Sequence, residues 1–124
     1  MIEQPLLVSY NGRVEAIFLR GQSDKDIRAL GDKVLLGQVA SLYAPAGESG
    51  LGRVAIGSRL AENLGVRVGD VITIINPAGR TTPFGTSIRQ VGYEVGAIFE
   101  VGIYDYDQKF VVLPIKDTLQ QTSP

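Results

Sequence analysis

The block Gly57-Ser-Arg-Leu-Ala-Glu-Asn-Leu-Gly-Val-Arg-Val-Gly-Asp-Val-Ile-Thr-Ile74 is the strongest architectural signal in this chain. Ser58 is placed to cap a short helix, Arg59–Leu64, because its hydroxyl can accept from an orphan N–H of the first turn. Leu60 and Leu64 lie four apart, hence on one face, and Gly65 closes the helix. Gly69 tolerates positive φ, and the Asp70 carboxylate can accept from nearby backbone N–H groups. A strand, Val71–Ile75, follows at once. The block therefore predicts a compact corner of helix, glycine turn and strand.

The remaining elements are short. Leu6–Tyr10 and Val14–Arg20 are β-prone runs on either side of Asn11-Gly12, a pair that accepts the positive φ values of a tight hairpin turn. Ser23 is placed to cap a helix over Asp24–Leu30, with acidic residues in its first turn and Gly31 as its C′ residue. Val34–Tyr43 is apolar and reads as strand. Arg53–Ile56, Tyr93–Phe99 and Phe110–Leu113 are further strands, Glu100–Lys109 a polar and aromatic connection, and Pro114 to about Gln121 a helical segment. The expected class is α+β and β-dominated: a mostly antiparallel small sheet or barrel-like core, two or three short helices and one protruding hairpin loop. The 124 residues suit one compact domain.

That loop is Asn76–Gly92, Asn-Pro-Ala-Gly-Arg-Thr-Thr-Pro-Phe-Gly-Thr-Ser-Ile-Arg-Gln-Val-Gly. It carries no acidic residue, lacks helical or strand periodicity, and is long enough to be functional or disordered. Pro77 and Pro83 lower the entropy lost on ordering. Phe84, between Pro83 and Gly85, is a natural anchor for a groove on another protein. Arg80 and Arg89 favour an acidic or carbonyl-lined target.

Composition narrows the chemistry. The chain has neither His nor Cys, which removes cysteine nucleophiles, the usual imidazole base, serine triads and nearly all zinc sites. No catalytic, cofactor-binding or metal residue is therefore expected. A net charge of −1 gives no global pull toward nucleic acid. No apolar run approaches the roughly 20 residues of a membrane helix, and Met1–Pro5 has no signal-peptide character. Gly50-Leu-Gly-Arg-Val-Ala55 matches G-x-G-x-x-A but precedes a strand, whereas a dinucleotide fingerprint must open a helix. Asp105 and Asp107, with Glu100 and Glu94 near in sequence, could offer carboxylates to a divalent ion, although such ions need more converging oxygens. A solvated polar turn edged by Tyr104 and Tyr106 is the plainer reading.

Corner and loop together resemble the periplasmic region of the lipoprotein-releasing ABC permeases, the LolC/LolE family. The resemblance rests on Ala55–Asp70, Asn76-Pro77, Thr82-Pro-Phe-Gly85, Tyr93-Glu-Val-Gly-Ala-Ile-Phe-Glu-Val-Gly-Ile-Tyr-Asp-Tyr-Asp107 and Val112-Leu-Pro-Ile115, with Ala16-Ile-Phe-Leu-Arg-Gly21 as an earlier segment. It implies a MacB-like periplasmic core of two subdomains, Porter and Sabre, with part of Porter missing from this chain. It implies a multi-pass protein of the inner membrane that works with a LolD-like cytoplasmic ATPase and a second permease subunit. That assembly would pass lipoproteins to a LolA-like periplasmic carrier. In the carrier-docking subunit of the family a protruding hook grips the carrier beside a small pad. By position the hook falls on Pro77–Ile88, including Arg80, Thr82, Pro83, Phe84 and Gly85, and the pad on Arg89 and Gln90. Whether the chain corresponds to the docking subunit or to its partner stays open. The alternative reading is a small double-psi-like β-barrel that binds a ligand or nucleic acid, since similar corners recur in such barrels.

Overall fold

A computed structural model of the chain describes residues 2–43, 50–82 and 85–114, with residues 2, 77–82 and 85–89 described by their backbone alone. β1 (Ile2–Tyr10) and β2 (Arg13–Gln22) form a hairpin whose ladder runs unbroken from Ile2–Gly21 to Tyr10–Arg13. Between them Asn11 (φ 50°) and Gly12 (φ 85°) are both left-handed, the conformation a two-residue I′ turn demands. α1 (Asp24–Leu30) follows, and Ser23 caps it by accepting from the Asp26 N–H. Gly31 is not the left-handed stop expected of it. At φ −54° the helix tightens into a 3-10 turn, Gly31–Lys33. β3 is only Val34–Gly37; Val39–Tyr43, read as strand from its apolar content, is a second 3-10 turn.

β4 (Arg53–Gly57), α2 (Ser58–Leu64) and β5 (Val71–Thr82) build the predicted corner. Ser58 is the first helical residue and not the cap. Gly57 occupies the cap position, and the Ser58 hydroxyl turns to the Glu100 carboxylate at 3.1 Å. At the other end Gly65 is left-handed (φ 76°). Its N–H bonds Glu62 O, and the Val66 N–H bonds Ala61 O, the two bonds of a Schellman motif, with Val66 and Ala61 both buried. Asp70 Oδ2 accepts from the Arg67 N–H at 2.8 Å across left-handed Gly69, as its position predicts. The turn is stitched to the strand that pairs with β5 by Gly69 N–H to Val95 O and Val95 N–H to Asp70 O, both 2.8 Å.

β6 (Gly85–Phe99), α3 (Tyr104–Lys109) and β7 (Phe110–Pro114) complete the chain. Around the ring β6 pairs with β4, β4 with β7, β7 with β2, β2 with β1, β1 with β5 and β5 back with β6. Six strands thus close a barrel, and β3 is added on β6. β2–β7 and β4–β6 are parallel and the other pairings antiparallel.

The barrel interior is largely apolar: Val8, Leu19, Val54, Ile56, Ile72, Ile74 and Val95 are fully buried there, and Leu60 and Leu64 of α2 join the same core. A second core lies outside the wall, where Ile27 and Leu30 of α1 and Leu42 cover Ala55, Ala97, Phe99 and Val112. β6 serves both cores because its register slips at Gly96: Val54 faces Val95, but Ala55 faces Ala97. Tyr93 and Val95 point in, and after the bulge Ile98 points in while Ala97 and Phe99 point out. A side chain on Gly96 would strike the Ser41 hydroxyl and stand 3.2 Å from Arg53 Cβ.

Candidate partner-binding arm

The stretch read as a long loop is mostly strand. β5 runs on to Thr82 and β6 starts at Gly85, so the connection between paired residues is Pro83-Phe84 alone. The proline and glycine content pointed to loop; cross-strand pairing, which no local signal encodes, makes it a hairpin. From Val71–Glu94 to Asn76–Arg89 the pairing is one to one. Beyond, Arg80 pairs with Ser87, Thr81 with Thr86 and Thr82 with Gly85, so residues 77–79 stand opposite residue 88 alone. Pro77 lies in this bulge, one of the few places within a ladder where a residue lacking an N–H is tolerated.

Support from the barrel ends just before the bulge. β1 pairs with β5 at Thr73, Ile74 and Ile75 and no further, and the β4–β6 ladder begins at Glu94. Among the described residues, the strand ladders of segments 76–82 and 85–89 are with each other. At ~3.3 Å per residue this two-stranded arm reaches about 20 Å past Ile75.

The base of the arm is held firmly. Ile72, Ile74, Tyr93 and Val95 anchor its two strands in the barrel core. Arg53 Nε donates to Glu94 Oε2 at 2.6 Å, an ion pair with both side chains about one-fifth exposed, between neighbouring parallel strands. Leu51 packs against Gly92, where a Cβ would come within 3.3 Å of its Cδ1.

The residues proposed from sequence fall along this arm. Pro77, Arg80 and Thr82 are on β5; Gly85, Ile88, Arg89 and Gln90 are on β6. Arg89 and Gln90 sit at the base, opposite Asn76 and Ile75, and Gln90 is exposed. Pro83 and Phe84 lie outside the described residues.

The acidic residues do not gather. Asp107 is buried in α3, a helix not foreseen in the Glu100–Lys109 connection, and its carboxylate accepts from Val101 N–H at 2.8 Å and Gly102 N–H at 3.1 Å. Glu100 holds Ser58, Glu94 holds Arg53, and Asp105 is exposed. Among the described residues no group of three or more carboxylates stands ready for a metal. Gly50 and Gly52 lead into β4, not into a helix. The strands close into a barrel whose interior holds a buried apolar cluster.

What sequence reasoning missed is the clamp between α3 and the corner. Gly57 lies against Asp107 so closely that a Cβ there would overlap the Asp107 carbonyl oxygen and stand 2.6 Å from its carbon. The available signal was Gly102, left-handed at φ 90°, followed five residues later by an aspartate able to cap the turn.

No family model matches the chain. It is similar to the lipoprotein-releasing system transmembrane protein LolC of Neisseria meningitidis, 27% identical over 119 residues, which covers 94% of this chain and 28% of that protein. LolC of Xylella fastidiosa strain 9a5c is 33% identical over 96 residues (77% of this chain, 22% of the relative). LolC of X. fastidiosa strain Temecula1 is 30% identical over 108 residues (85% and 25%). The chain thus spans about a quarter of the length of these relatives. No helix among the described residues is long and apolar enough to cross a membrane.

Proposed function

This chain belongs to the LolC family of lipoprotein-releasing system proteins, and from that premise we propose that it is the periplasmic domain of an ABC permease, non-catalytic, whose arm at Asn76–Gln90 docks a periplasmic lipoprotein carrier. The observation that carries the reading is a two-stranded arm extending past a closed barrel, in the position where the family resemblance puts a hook. A domain that must engage a soluble carrier without holding it permanently gains from a narrow projection, which offers a small contact surface of the kind transient complexes use. Arg89 and Gln90, at the barrel rim, act as the pad: polar groups that fix orientation once the tip is seated. Lipoprotein is the cargo handed over, and in the intact protein a cytoplasmic ATPase and a second permease subunit supply the drive.

The test is removal of Pro77–Ile88, with Asn76 joined to Arg89 through a two-residue turn, followed by calorimetric titration with a LolA-like carrier. Loss of measurable binding by a variant that melts like the parent is expected. Unchanged affinity in a folded variant would sink the proposal.

A further inference from the structure

We propose that the bulge of residues 77–79 opposite residue 88 is a pivot, at which the outer arm swings as a unit relative to the barrel. Three observations converge on it. The one-to-one pairing stops at Asn76–Arg89 and resumes at Arg80–Ser87, so the ladder is interrupted at one level only. That level starts two residues beyond Ile75, the last residue of β5 with a ladder partner on β1. The bulged residues are chemically suited to bending: Pro77 has no N–H to give to a ladder, and Gly79 has no Cβ to restrict φ and ψ. An uninterrupted antiparallel ribbon bends only by distorting consecutive hydrogen bonds, whereas a bulge concentrates the bend where pairing is already absent. Beyond the pivot three consecutive pairs, Arg80–Ser87 to Thr82–Gly85, keep the tip together. The tip stands about 15 Å from the pivot at ~3.3 Å per residue, so a modest rotation displaces it by several ångströms. The inference goes beyond the carrier reading and does not depend on it, since the motion belongs to the unbound chain.

The natural chain contains no cysteine, so two introduced thiols are the only labelling sites. Spin labels at Val14→Cys, on the exposed outer face of β2, and Ser87→Cys, beyond the bulge, report arm against barrel. Val14→Cys with Val71→Cys, both barrel positions, gives the width of a rigid pair. The arm pair is expected to give a distance distribution at least twice as wide as the barrel pair. Removing Ala78 and Gly79 and changing Pro77→Thr restores one-to-one pairing, residue 77 facing 88, and should narrow the arm distribution to the barrel width. A parent arm pair no wider than the barrel pair overturns the pivot, and this comparison stands even if the straightened chain fails to fold. A width that survives straightening in a folded variant overturns it as well.

Discussion

Single residues decide whether the corner can close on α3. Gly57 is the clearest case: it has no room for a methyl group, because the backbone of Asp107 already fills the space. Backbone cannot step aside as a flexible side chain can. Gly57→Ala is therefore expected to destabilise the fold by about 1–3 kcal/mol, the usual cost of overpacking, read as a lower urea midpoint with an unchanged slope. Gly50, with open space around it, makes the contrast: its φ of 71° is what an alanine there would strain, with no packing clash added. The Asn11-Gly12 turn was legible in sequence because its requirement is local, two adjacent residues at positive φ. The Gly57 contact was not, since Gly57 and Asp107 are fifty positions apart and only the closed barrel brings them together.

At the scale of elements, legibility follows the same divide. The corner was readable because helix, Schellman stop and Asp70 turn are each built from neighbours in the chain. Two things hid α3: its N-cap, Ile103, makes no side-chain cap, and its six residues read as polar and aromatic connection. Ser58 was misassigned for a related reason: its hydroxyl finds a better partner in Glu100, supplied by a distant strand end. The arm is the largest difference, strand where composition said loop. Its nature as a ribbon bears on the tip. The last described pair of the ribbon is Thr82–Gly85, and Phe84, the anchor expected from sequence, is the residue to test. Phe84→Ala is expected to weaken carrier binding by roughly 1–3 kcal/mol while leaving thermal unfolding unchanged. Calorimetry and a melting curve on the same preparation check both halves. A loss of affinity below twofold would place the anchor elsewhere on the arm.

For the molecule as a whole, two cores sharing one wall make stability depend on the outer layer as well as on the barrel. That layer is tied down in part by Tyr43, whose hydroxyl donates to Asp24 Oδ1 of α1 at 2.8 Å. Burial of the hydroxyl first, then the hydrogen bond and the charge of Asp24, push the Tyr43 pKa up to about 12, against a smaller opposing pull from Arg28. The folded state thus favours the neutral phenol. Its contribution is whole below pH 10, the ordinary tyrosine value, and is lost as pH rises toward 12. Because the residue as a whole is 47% exposed, solvent screening keeps the effect small. The urea midpoint of the parent should therefore fall more between pH 9 and about 11.5 than that of Tyr43→Phe. Equal falls would remove Tyr43 from the account.

β6 has a mechanical consequence. One continuous strand of 15 residues begins at the tip of the arm, forms the barrel wall beside β4 and β5, and ends against β3 and the outer core. A tug on the tip along the arm is transmitted down that strand as a shear load. The ladder to β4 then bears it across several hydrogen bonds at once, where a peeling force would break them one by one. The same geometry that lets the arm be slender lets its root take tension.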